Sequence, residues 1–217
     1  MVRRIGITMR ITGAMDYFEP RDCLAQDWWT FLLSSFPDIQ WMGLPNIGNN
    51  IQEYVSGWEL DGVILSGGKD VGSVQQRDMT ETSLMELAVR RKLPILGVCR
   101  GMQMLNFFFG GSNIEDLTDT CGKPDTHVAT NHRIKVELGP YYNLFKLNEI
   151  EVNSFHRQGV TRTALAPILQ PFAYSMDGLV EGLYHSDLPI IGIQWHPERK
   201  NPAHDADLRI MEKFLRI

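Results

Sequence analysis

Short apolar runs alternate along the chain with amphipathic stretches, the pattern of an α/β protein. Arg4 to Thr8, Gly62 to Leu65 (GVIL), Leu93 to Val98 (LPILGV) and Leu188 to Gln194 (LPIIGIQ) have the length and apolarity of buried strands. Between them, Leu24 to Phe36 reads as a helix that brings Trp28, Phe31, Leu32 and Ser35 to one face. A second helix begins near Asp78: Asp78 and Glu81 have the D-x-x-E spacing of an N-terminal cap, and Leu84, Leu87 and Ala88 follow with helical period. Gly101 to Phe108 and Ala203 to Leu215 read as two more helices. From about His127 to Gln194 the pattern shifts to short strands and turns, with Arg133 to Leu138 alternating. The chain shows no internal repeat and no low-complexity segment. These elements predict a mostly parallel central sheet flanked by helices, with a small antiparallel addition.

Length and charge narrow the function. At 217 residues and 43% hydrophobic content, the chain is expected to form a single domain over residues 1–217. The formal net charge is -5 and no long lysine or arginine run occurs, which argues against a nucleic-acid partner. The opening MVRRIGITMRI lacks the apolar stretch of a signal peptide, and no run approaches the roughly 18 apolar residues of a membrane span. The three cysteines, Cys23, Cys99 and Cys121, are odd in number and lack zinc-like or redox spacing, so a reduced, cytoplasmic protein is expected.

The strongest chemical signal is Gly97-Val98-Cys99-Arg100-Gly101-Met102-Gln103. A strand, a nucleophile between near glycines and then a helix is the nucleophile-elbow arrangement. The helix N-terminus favours negative charge and stabilises a thiolate. A lone buried cysteine is ordinarily structural; the glycine spacing after an apolar strand sets this one apart. The second signal is Gln194-Trp195-His196-Pro197-Glu198, at the end of a strand. In extended chain, residues two apart face one way, so His196 and Glu198 are expected on the same side, where a carboxylate fixes the imidazole tautomer and supports its protonated form. The third, weaker signal is Ser66-Gly67-Gly68 after a strand, where an N–H could join that of Arg100 in an oxyanion hole.

GVCRGMQ, LSGGKDV, EVNSFH and QWHPE, in their relative positions, resemble the class I glutamine amidotransferases, nearest to the γ-glutamyl-γ-aminobutyrate hydrolase branch. The resemblance covers nearly the whole chain. It implies a flavodoxin-like amidotransferase fold and a Cys–His–Glu triad on Cys99, His196 and Glu198. It also implies oxyanion N–H groups on Gly68 and Arg100, a glutamyl contact from Gln103, and a pocket lined by Asn153, Ser154, Phe155 and His156. The stretch from Gly68 to Arg77 is shorter than in many members of that branch. With GITMR and RDCLAQDWW, it also resembles the γ-glutamyl-CDP-amidate hydrolases of bacterial capsule biosynthesis, which attack the same acyl group and differ in the leaving nitrogen's substituent.

The expected reaction is hydrolysis of a small-molecule γ-glutamyl amide, releasing glutamate and an amine or phosphoramidate, without metal or organic cofactor. A glutaminase subunit feeding ammonia to a separate synthase, and a non-catalytic binding module on the same fold, are the alternatives. The oligomeric state is left open. Arg10, just past the first strand, and Arg21, in the next loop, are candidates to meet an acidic leaving group. His127, His132 and His185 have spacings that fit no common metal site.

Overall fold

The computed structural model describes residues 3–113, 127–145 and 147–216. Among these, one nine-stranded sheet organises the chain. Its strands are β1 (Arg3–Thr8), β4 (Ile39–Leu44), β5 (Gly62–Leu65), β6 (Ile95–Val98), β7 (Val128–Val136), β8 (Glu149–Phe155), β9 (Leu169–Ser175), β10 (Val180–His185) and β11 (Ile190–Ile193). Their order is β4-β1-β5-β6-β11-β10-β9-β7-β8. Neighbours from β4 to β11 run parallel, and those from β11 to β8 antiparallel. The antiparallel portion is therefore four strands beyond β11 rather than a small addition. A separate hairpin pairs β2 (Arg10–Gly13) with β3 (Pro20–Cys23).

The apolar runs are buried on both faces because helices cover both. Along β5, Ile64 enters one core and Val63 and Leu65 the other; along β6, Leu96 and Val98 face the first and Ile95 the second. Period-two alternation thus splits each central strand between two cores. The first core is closed by Trp28, Phe31 and Leu32 of α1 (Gln26–Ser35) and by Ile210, Met211 and Phe214 of α5 (His204–Arg216). The second is closed by α2 (Ile51–Ser56), α3 (Gln75–Arg91) and α4 (Arg100–Phe108). Each fully buried Leu or Ile contributes about 1.5–3 kcal/mol. Strands β6 and β11 begin two residues later than the apolar pattern suggests, after Pro94 and Pro189, which have no N–H to give a ladder.

The register places the chemistry. Leu65 pairs with Gly97, and Val98 with Ile193, so the carboxyl ends of β5, β6 and β11 lie side by side. Ser66-Gly67-Gly68, Cys99 and the Gln194–Glu198 segment leave the sheet at one edge, as ligand sites of open α/β sheets do.

The expected cap at Asp78 and Glu81 is not formed. Helix α3 starts earlier, at Gln75, and its cap residue Val74 makes no side-chain bond. Glu81 instead turns inward and is fully buried. Its Oε1 accepts from Thr8 Oγ1 at 2.8 Å and from Arg77 Nε at 2.9 Å; its Oε2 accepts from Arg100 Nη1. Arg77 donates on to the carbonyls of Ser66 at 2.7 Å and Gly67 at 3.1 Å, and Arg100 also pairs with Asp78. Burial works against the Glu81 carboxylate, but Arg100 and Arg77 outweigh it and hold its pKa below the ordinary value. Removing one member of a buried charge cluster strands the others. Glu81→Ala is expected to cost about 3–5 kcal/mol, read by urea denaturation. A loss below about 1 kcal/mol would mean that the two guanidiniums find other partners.

Candidate active site

Cys99 occupies the turn between β6 and α4 with φ +52° and ψ −108°, a left-handed conformation that costs a non-glycine residue about 1–3 kcal/mol. The flanking glycines make the turn feasible. A Cβ on Gly101 would lie 2.0 Å from the Leu65 carbonyl oxygen, and one on Gly97 2.7 Å from the Gly101 backbone. The Cys99 N–H donates to Ile193 O at 2.8 Å, tying the turn to β11.

His196 and Glu198 meet in the turn after β11, not along an extended strand, and this corrects the expected basis of their approach. The His196 Nδ1–H donates to Glu198 Oε1 at 2.7 Å, and both side chains are buried. The ring also acts electrostatically on Cys99, which lines the same cavity. Burial pulls the imidazole down, but the charges of Glu198 and Cys99 push its pKa up to about 9. Burial alone would raise the Cys99 thiol; the His196 charge and hydrogen bond, the His156 charge and the Arg100 amide together bring it below the ordinary value. Both shifts run in the direction of a thiolate–imidazolium pair.

A cavity of about 330 Å³ opens over this pair, lined by Gly68, Cys99, Phe155 and His196 and by three cations, Arg10, Lys69 and Arg199. The approach of the loop explains Gly68: a Cβ there would lie 2.2 Å from Arg77 Nη1. Arg10 reaches the cavity from the β2–β3 hairpin. Arg21, on the other strand of that hairpin, does not line it and pairs with Glu19 and Tyr17.

The remaining anticipated residues divide. Phe155 lines the cavity, edge-on to His196 and beneath the Arg199 guanidinium. Asn153 is buried, and its side chain grips the His196 backbone: Oδ1 accepts the His196 N–H and Nδ2 donates to the His196 carbonyl, each at 2.8 Å. Ser154 is buried too and donates to His127 O. Both support the site from below rather than lining the cavity. Gln103 reaches Cys99 through Gln194, which the sequence reading named in its motif without a role: Gln103 Nε2 donates to Gln194 Oε1 at 3.3 Å, and Gln194 Nε2 donates to Cys99 Sγ at 3.6 Å. Lys69 and Arg199 were also missed, although both flank recognised motifs. His156 turns from the cavity toward Glu181. His127 and His132, whose sequence spacings fit no common metal site, converge there with it, whereas His185 packs against Phe109. Cys23 is half-buried beside Thr12, and Cys121 lies outside the described residues.

A parallel sheet extended by antiparallel strands, with a cysteine elbow at its carboxyl edge, is the class I glutamine amidotransferase-like fold. It is shared with the crystal structure of a glutamine amidotransferase from Thermotoga maritima: TM-score 0.63 and 16% identity, over 98% of this chain and 82% of that one. The chain belongs to the Peptidase C26 family, whose pattern matches residues 44–198. Relatives include the gamma-glutamyl-CDP-amidate hydrolase of Campylobacter jejuni, 28% identical over 94% of both chains. Another is the gamma-glutamyl-gamma-aminobutyrate hydrolase of Escherichia coli, 28% identical over 82% of this chain and 72% of its own. No helix among the described residues is long and apolar enough to cross a membrane.

The ion pair is testable without a substrate. Alkylation of Cys99 by iodoacetamide is expected to stay fast well below pH ~8.5, the ordinary thiol range. In His196→Ala the transition should move above that range, because only burial and weaker partners remain. An unchanged transition, read by mass spectrometry of the labelled peptide, would show that His196 does not hold the thiolate.

Proposed function

We propose that the chain is a cysteine-dependent hydrolase of γ-glutamyl amides, with Cys99 as nucleophile, His196 as base and Glu198 as the group that orients it. The observation that carries this reading is a strained elbow thiol that lines one cavity with His196, whose Nδ1–H is hydrogen-bonded to Glu198. The γ-glutamyl class is supported by the names of the relatives.

The thiolate attacks the γ-carbonyl, and the N–H groups of Gly68 and Arg100 receive the oxyanion. His196 gives its proton to the leaving nitrogen as the C–N bond breaks. It then takes one from water, which attacks the thioester and releases glutamate and the free Cys99. Three cations at the cavity favour an anionic leaving group, the phosphoramidate of a nucleotide over a neutral amine. The acidic net charge of the chain makes that local patch the attracting element.

The test is a hydrolysis screen of γ-glutamyl compounds with wild type and Cys99→Ala. Wild type should release glutamate, and the variant should lose several orders of magnitude in kcat while remaining folded. A variant retaining more than a few per cent of the rate would remove Cys99 from the role. For the leaving group, Arg10→Ala and Arg199→Ala should slow hydrolysis of a γ-glutamyl phosphoramidate by about tenfold or more, each lost charge-assisted bond costing about 1.5–3 kcal/mol. They should leave a neutral γ-glutamyl amide nearly unaffected; equal losses on both would assign these arginines to the glutamyl end or to the fold.

The pH dependence follows from the raised His196 pKa. The imidazolium is favoured below its folded pKa and lost above it, so kcat/KM should fall as pH rises through about 9. Glu198→Gln removes the largest of the influences that raise it. That variant should move the alkaline limb to lower pH and lose less activity than His196→Ala. A limb that stays in place would show that Glu198 does not support the imidazolium.

A further inference from the structure

Beneath the Phe155 end of the site, four side chains from separate segments converge: His127 ahead of β7, His132 on β7, His156 just past β8 and Glu181 on β10. One ligand atom from each lies within 4.8 Å of the others. None of them moves a proton in the proposed hydrolysis, and of the four only His156 acts on the Cys99 thiol, through its charge.

The hydrogen bonds around the cluster fix its chemistry. Asp177 accepts from His127 Nε2 at 2.8 Å, and a carboxylate only accepts, so that nitrogen carries the proton. In the neutral ring Nδ1 then holds a lone pair, and it is buried with no hydrogen-bond partner. His156 Nδ1 lies 2.8 Å from the carbonyl of Gln158 and must donate, so Nε2 is the atom that faces Glu181, as a lone pair when the ring is neutral. Glu181 is fully buried, and neither carboxylate oxygen is hydrogen-bonded. A dry carboxylate set 3.5 Å from two imidazoles needs a positive charge among them, a proton on a ring or a metal ion.

The spacing favours a metal ion over a direct contact. Glu181 Oε1 lies 3.5 Å from both His132 Nε2 and His156 Nε2. That is long for a charge-assisted N–H···O bond, about 2.7–2.9 Å. It is close to the edge of a tetrahedron of N and O ligands around Zn²⁺, about 3.3 Å for bonds of about 2.0–2.1 Å. The Asp177 carboxylate behind His127 and the Gln158 carbonyl behind His156 match the outer partners that orient metal-bound imidazoles.

We infer that His127, His132, His156 and Glu181 form a binding site for a divalent transition-metal ion of the Zn²⁺ type, with three nitrogen ligands and one oxygen. The ion joins β7, β8 and β10. The N–H of Gln194, the residue whose side chain touches Cys99, donates to Glu181 O at 2.9 Å, so the ion anchors strands that carry the site. The inference does not depend on the hydrolytic reading.

The test uses the full chain without a histidine tag, stripped with a chelator and titrated with Zn²⁺ or Co²⁺. Expected are one equivalent bound by elemental analysis, the visible bands of tetrahedral Co²⁺, and a Tm raised by roughly 5–10 °C at a hundredfold excess over Kd. His132→Ala and Glu181→Gln should each weaken binding by about 10–100-fold or more. Circular dichroism and the metal-free Tm show whether each variant folds, and either one suffices for the comparison. Cys99→Ser should bind like wild type. Well under one equivalent with no Co²⁺ bands would overturn the inference, leaving protons to fill the cluster. So would binding lost in Cys99→Ser but kept in folded His132→Ala, which would place the ion at the catalytic pair.

Discussion

The site depends on one buried carboxylate. Glu81 lies where β1, the Gly67–Gly68 loop and the first turn of α4 meet, and it touches all three through Thr8, Arg77 and Arg100. The cluster is electrically balanced, two guanidiniums against Glu81 and Asp78. Its effect on the loop is directional. Arg77 draws the Gly67 carbonyl inward, and in a trans peptide the Gly68 N–H must point the opposite way, toward the cavity. The same carboxylate fixes Arg100, whose backbone N–H faces the sulfur. Both proposed oxyanion donors are therefore aimed from behind by one anion that no substrate meets.

An independent polar network supports His196. Asp207 accepts from Trp195 Nε1 at 2.8 Å and from Asn201 Nδ2 at 2.7 Å; Asn201 Oδ1 accepts the Asn153 N–H, and Asn153 holds His196 on both sides. Burial pushes the Asp207 carboxyl up to about 7 despite its two donors. Cys99 is thus braced from α3 and His196 from α5, on opposite faces of the sheet. Rigid support from both sides suits a site in which a misplacement of about an ångström costs heavily in rate.

The elements that carry Cys99 and His196 were legible because each is an apolar run ended by glycine or proline, and burial on two faces leaves that signature in sequence. The hairpin β2–β3 was not, since RITG and PRDC are too polar to alternate. Glu81 was misread because D-x-x-E spacing is the same whether the carboxylates cap a helix or pair with Arg77 and Arg100; only the packing of α3 decides. Asn153 and Ser154 were placed in the pocket by resemblance; both are buried, Asn153 against Asn201 and the His196 backbone and Ser154 against the His127 carbonyl. The histidine cluster has no linear signature, because sheet pairing brings residues 127, 132, 156 and 181 together at spacings that no local motif would contain.

The position of β11 has a consequence for synthesis. It lies in the middle of the sheet, between β6 and β10, yet it is the last strand in chain order among the described residues. Domains generally begin to fold from the N-terminal side as they leave the ribosome. Until Ile193 has emerged, β6 and β10 present open hydrogen-bonding edges, and unpaired edges recruit other chains. In that interval Cys99 has no imidazole beside it and no Ile193 carbonyl to hold its turn. Until then Cys99 is an ordinary thiol, and insertion of the one strand both fills the gap in the sheet and brings His196 to its side.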